Sequence, residues 1–102
     1  MLLVESITEN QKQVSKSISE LGDLTVINLS MQADLVRNTL KQNIFSMQAN
    51  DIFSEISTLD PNTNYLFISD DESVSLNIVK QLTNQGCGNC YSLVGGVNSL
   101  LH

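Results

Sequence analysis

Tyr65-Leu66-Phe67-Ile68-Ser69-Asp70-Asp71-Glu72-Ser73-Val74-Ser75 opens the stretch that decides the fold, which runs on through Leu76–Gly86 and Cys87-Gly88-Asn89-Cys90 to Tyr91-Ser92-Leu93-Val94-Gly95-Gly96. Tyr65 to Ile68 is a short apolar run and reads as a buried strand. Val74, Ile78, Val79 and Leu82 recur at helical spacing with Lys80, Gln81, Thr83 and Asn84 outside the stripe, and Gly86 closes the helix. Cys90 to Val94 reads as the next strand, and Gly95-Gly96 as a tight turn. In a parallel α/β sheet the loop leaving such a strand faces the free N–H groups of a helix amino terminus. Ser69 to Ser75 is therefore the expected position of a ligand or of chemistry.

Working outward, Ile44-Phe45-Ser46-Met47 predicts a short strand. Asn50 or Asp51 can cap a helix that uses Ile52, Phe53, Ile56 and Leu59, and Asp60-Pro61-Asn62 stops it. Leu24 to Leu29 is β-branched and largely apolar, as expected of a central strand covered on both faces. Met31 to Leu40 predicts a short helix. Ile7, Val14, Ile18 and Leu21 fall at helical spacing, with Thr8 placed to cap and Gly22 to terminate. Asn98 to His102 predicts the first turn of a helix. Phe45, Phe53 and Phe67 are expected in the core, Met31 and Met47 in packing, and the Tyr65 and Tyr91 hydroxyls near a sheet edge. Strands alternating with helices predict one α/β domain over residues 1–102, with a mostly parallel central sheet and helices on both faces.

The totals narrow the function. The chain has 102 residues, enough for a single core. Eleven acidic against five basic residues give a net charge of −6, which disfavours nucleic acid, anionic lipid and small anions as partners. No apolar run approaches the roughly 18 residues of a membrane span, and Met1-Leu2-Leu3-Val4 lacks the basic start of a secretory signal, so a cytoplasmic location is expected. Two cysteines cannot form a framework of disulfides.

Ile68-Ser69-Asp70-Asp71-Glu72 is similar to the carboxylate-rich opening of a response-regulator receiver. A receiver needs several further β/α units and a later phosphoacceptor aspartate, but only 31 residues follow Asp71 and none is Asp. The longer stretch resembles the last third of a rhodanese-like domain. That family runs apolar strand, cysteine, six-residue anion-cradling loop ending Arg-Ser, helix, glycine, strand, glycine pair. On this pattern Ser69 stands at the nucleophilic cysteine, Asp70 to Ser75 are the loop, Leu76 to Gly86 the helix, and Cys90 to Gly96 the strand and glycine pair. Leu100 falls where the family usually has Trp. Fainter similarity extends upstream through Ile7-Thr8-Glu9, Val26 to Ser30 and Ile44 to Met47.

The resemblance implies a sulfurtransferase scaffold, and the departures from it remove the chemistry. A serine hydroxyl cannot form the family's persulfide, and it is a poor nucleophile without a base; the one histidine is His102. Glu72 and Val74 replace the loop's glycine and arginine, while Asn28 and Ser30 replace an expected Asp and Arg. Two unit charges about 5 Å apart repel by roughly 3 kcal/mol at an effective dielectric of about 20, less where they face water, so Asp70, Asp71 and Glu72 oppose an anionic substrate. The expected function is a catalytically inactive rhodanese-like domain that binds or regulates through Ser69, Asp70, Asp71, Glu72, Ser73, Val74 and Ser75. A protein partner or self-association is expected, with no cofactor and no metal. The competing reading is a sulfurtransferase or a sulfur or redox carrier that uses Cys87 or Cys90. Against it, Cys87 follows the carboxyl end of a helix, whereas redox Cys-x-x-Cys motifs use a helix amino terminus to lower a thiol pKa. The bland reading of both thiols is as small buried hydrophobes.

Overall fold

Leu24–Asn28 forms a strand whose residues are almost all buried, and in the computed structural model it lies between two parallel neighbours. The structure describes residues 2–8, 10, 12–55 and 60–101, with Glu55 described by its backbone alone. Among these residues the strands are β1 (Leu3–Ile7), β2 (Gln13–Ser17), β3 (Leu24–Asn28), β4 (Asn43–Ser46), β5 (Asn64–Ile68) and β6 (Cys90–Leu93). They form one six-stranded sheet in the order β2-β1-β6-β5-β3-β4. The helices are α1 (Ala33–Leu40), α2 (Ala49–Glu55) and α3 (Glu72–Asn84), with 3-10 turns at Ile18–Leu21 and Gly96–Leu100.

Alternation along the strands sends successive side chains to opposite faces, and both faces are apolar. Val4, Val26, Leu66, Ile68 and Leu93 pack with Leu21, with Val36 of α1, and with Val97 and Leu100. Ile27, Tyr65, Phe67 and Cys90 pack with Ile52 of α2 and with Ile78, Val79 and Leu82 of α3. The result is a single α/β domain in three layers. Among the described residues no helix is long and apolar enough to cross a membrane.

The sheet is mixed, which corrects the expectation of a mostly parallel one. β3, β4, β5 and β6 run parallel, whereas β1 is antiparallel to both of its neighbours. The cause lies in the segment whose apolar spacing predicts a first helix. Residues 13–17 form a strand instead: the Thr8 N–H donates to the Lys12 carbonyl at 2.8 Å, the Lys12 N–H donates to Thr8 Oγ1 at 3.1 Å, and the chain turns back on itself. Thr8 thus closes a hairpin rather than capping a helix. A short connection between strands forces antiparallel pairing, and β1 gains a ladder on each side, which outweighs the marginal stability of a lone helix of this length. Only Ile18–Leu21 keeps a helical turn, and Gly22 ends it with φ of +67°.

Other differences are local. Asn50 and Asp51 lie inside α2, not at its cap, and Ile56 and Leu59 fall outside the described residues. Phe67 is buried, but Phe45, on the edge strand β4, is 55% exposed and Phe53 37%. Met31 is 92% exposed, whereas Met47 packs against the α3 face. The carboxyl-terminal turn is 3-10 over Gly96–Leu100, and His102 lies outside the described residues.

Candidate functional site

The chain leaves β5 at Ile68 and enters α3 at Glu72, so Ser69, Asp70 and Asp71 alone form the connection. This corrects the expected six-residue loop and the expected helix start at Leu76; Glu72, Ser73, Val74 and Ser75 are the first turn of α3. The sequence allows this early start because Asp71 is a good amino-terminal cap. Its Oδ1 accepts from the Ser73 N–H at 3.0 Å and from the Ser73 hydroxyl at 2.8 Å, which holds the Asp71 carboxyl below its ordinary pKa.

Ser69 is buried and its hydroxyl is occupied twice. It donates to the Asp71 carbonyl and accepts from the Ser75 N–H at 3.1 Å. The Val74 N–H donates to the Asp71 carbonyl at 3.0 Å. The N–H groups of Ser73, Val74 and Ser75, which an anion would need at this helix terminus, are therefore satisfied from within the chain. Ser75 is buried too: its hydroxyl donates to the Glu72 carbonyl at 3.1 Å and shares a 2.7 Å hydrogen bond with Ser92 on β6. Asp70 is exposed, and its Oδ2 accepts from the Met31 N–H at 3.1 Å, tying the connection to the segment after β3. Val74 points outward, 42% exposed, rather than joining the apolar stripe.

Two glycines complete the arrangement. Gly95 and Gly96 both have positive φ, and a Cβ built on Gly96 would lie 2.9 Å from the Ser69 carbonyl oxygen and 3.3 Å from the Glu72 nitrogen. The Val97 N–H donates to the Ser69 carbonyl at 2.9 Å. The glycine pair thus lets the end of β6 come against the connection after β5.

Asn28 and Ser30 turn inward upon one another. Asn28 Oδ1 accepts from the Ser30 hydroxyl at 2.6 Å and from its N–H at 3.1 Å, and the Asn28 amide donates to Ser46 Oγ at 3.2 Å. Neither residue presents a charge to the connection.

One member of the site is not among the sequence candidates. Glu5 on β1 is buried, is the register partner of Ser92, and accepts from the Gln13 amide at 2.8 Å. Burial, followed by a hydrogen bond to and repulsion from the Glu72 carboxyl, raises its pKa to about 7, with the Gln13 contact opposing. The clue in the sequence is an acidic residue inside the apolar run Leu2-Leu3-Val4-Glu5-Ser6-Ile7. A shallow groove of about 300 Å³ adjoins this region, lined by Ile7, Gln13, Ser73, Leu76, Asn77 and Lys80.

Cys87 and Cys90 lie at the opposite ends of α3 and β6 from the connection. Cys90 is buried and Cys87 half-buried. Burial first, and the neighbouring Cys87 second, push the Cys90 thiol far above its ordinary pKa, so Cys90 does not rest as a nucleophilic thiolate. Among the described residues no group of three or more His, Cys, Asp or Glu side chains is placed to hold a metal ion.

The chain matches no family model, no curated protein and no solved structure. Its own geometry therefore carries the functional argument.

Proposed function

We propose that this chain is a rhodanese-like domain without sulfurtransferase chemistry that works as a protein-binding or regulatory module, with the acidic start of α3 as its contact surface. The observation that carries the reading is the self-satisfied connection: Ser69 and Asp71 use their own side chains to fill the positions where an anionic substrate would be held. The order of strand, short connection, helix, glycine, strand and glycine pair supports the family resemblance. The surface left to a partner is Asp70, Asp71, Ser73 and Val74, an acidic rim around one exposed apolar side chain. Such a rim suits a partner with a basic patch beside a small apolar contact.

The experiment has two arms. Pure protein is expected to give no thiocyanate from thiosulfate and cyanide above background, and turnover that disappears on replacing Ser69 would overturn the reading. A photo-crosslinking residue placed at Val74 in cells is expected to trap a discrete protein adduct that is lost with Asp70→Lys. An adduct indifferent to that charge reversal would reject the acidic surface as the contact.

A further inference from the structure

Cys87 lies immediately after the Gln85-Gly86 turn that ends α3, and its N–H donates to the Leu82 carbonyl at 3.0 Å. Three residues later Cys90 begins β6. The Asn89 carbonyl accepts from the Tyr65 N–H at 2.8 Å, and the Asn89 amide donates to the Pro61 carbonyl, which anchors the far side of the segment. Between the cysteines only Gly88 and Asn89 intervene, and a Cβ at Gly88 would meet nothing within 4 Å, so the segment has room to adjust.

The two cysteines meet in one apolar cluster. Cys87 packs against the apolar cluster that contains Cys90, and its nearness helps to raise the Cys90 thiol pKa. Their environments differ: Cys90 is 1% exposed, whereas Cys87 lines a groove of about 490 Å³ together with Asp60, Pro61, Gln85 and Asn89. One thiol lines an opening large enough for a small molecule, and the second is closed to solvent.

We propose that Cys87 and Cys90 form a redox pair that low-molecular-weight disulfides convert to an intramolecular disulfide, with Cys87 attacking first and Cys90 resolving. In the first step Cys87 gives up its proton to water and its sulfur attacks one sulfur of the small disulfide, forming a mixed disulfide and releasing one small thiolate. In the second, Cys90 transfers its proton to that thiolate or to water, and its sulfur attacks Sγ of Cys87, expelling the second small thiolate. Two protein thiols are oxidised and one small disulfide is reduced to two thiols, so electrons and protons balance. The high pKa of the Cys90 thiol makes it a poor first attacker, while its place in the same cluster three residues beyond Cys87 makes the second step intramolecular. The cysteine pair lies beyond the carboxyl end of α3, away from the acidic surface at its start, and does not depend on it.

The test treats the reduced full chain with glutathione disulfide, quenches with acid at intervals, and reads intact mass. The wild type is expected to lose two hydrogen atoms and to retain no glutathione. Cys90→Ala is expected to accumulate one glutathione at Cys87, and native Cys87→Ser is expected to lose the modification altogether. A lasting glutathione adduct on the wild type, an unchanged wild-type mass, or modification of native Cys87→Ser at the wild-type rate would each overturn the proposal. The wild-type mass decides the matter even where Cys90→Ala fails to fold.

Discussion

The side chain at position 69 shows how one residue changes the meaning of its surroundings. A serine at the end of β5 is small enough to be buried, and its hydroxyl both donates and accepts, so it bonds to Asp71 and Ser75 rather than waiting for a substrate. Gly96 is the other decisive position, because the carbonyl of Ser69 occupies the space that any Cβ would need. Gly96→Ala is expected to cost about 1–3 kcal/mol from backbone strain alone, and more from the contact at 2.9 Å, measured as a lower urea midpoint. Gly22→Ala is the control: its φ is also positive, at +67°, but nothing lies within 4 Å, so it should cost less than Gly96→Ala. Equal losses at the two positions would show that the contact with Ser69 is unimportant. The glycine pair was legible in the sequence as a turn; the close approach was not, because its partner is 27 positions away in the chain.

Among the elements, α3 governs the candidate site. Its apolar stripe of Ile78, Val79 and Leu82 was readable from period alone, and all three side chains are buried against the sheet. Its start lies earlier than the resemblance to a six-residue loop implies, because Asp71 is a strong local cap and the backbone follows the cap. The amino-terminal turn of α3 is then fastened to β6 by the buried hydrogen bond between Ser75 and Ser92 at 2.7 Å. Removing one partner leaves the other hydroxyl buried with one fewer bond, so Ser75→Ala and Ser92→Ala should each destabilise by about 1–3 kcal/mol. The double replacement should cost clearly less than their sum in a denaturant-melt cycle; strict additivity would mean that the two hydroxyls do not depend on each other. The hairpin of β1 and β2 is the element most fully missed. Its apolar residues fit a helical period, and the ladders that β1 forms with β2 and β6 are what favour the strand.

At the scale of the whole molecule, that hairpin delivers Glu5 to the amino terminus of α3. Gln13 from β2 and Glu72 from α3 meet its carboxyl, and Ser92 on β6 is its register partner; Lys80 of α3 is the cation lining the neighbouring groove. Glu5 holds its proton in the folded chain up to about pH 7, against 4.5 for an unperturbed glutamate. Between those values the native state binds more protons than the unfolded one, so this group's contribution to stability is full below about pH 4.5 and is lost as pH rises through about 7. Glu5→Gln keeps a neutral side chain beside Glu72 and still offers an acceptor to Gln13. Its urea midpoint is therefore expected to exceed the wild-type value at pH 8 and to approach it at pH 5. A variant that melts below the wild type at pH 8 would sink this account of the pair. What the sequence by itself determined is the succession from β3 to β6 and the apolar character of both faces, because strand and helix periods are local and the core needs them. Tertiary structure alone decided the mixed sheet, the pairing of Glu5 with Glu72 and the closure of the connection around Ser69. Each of these depends on partners distant along the chain, and the free energy of a ladder, a buried carboxyl or a buried hydroxyl exists only once those partners meet.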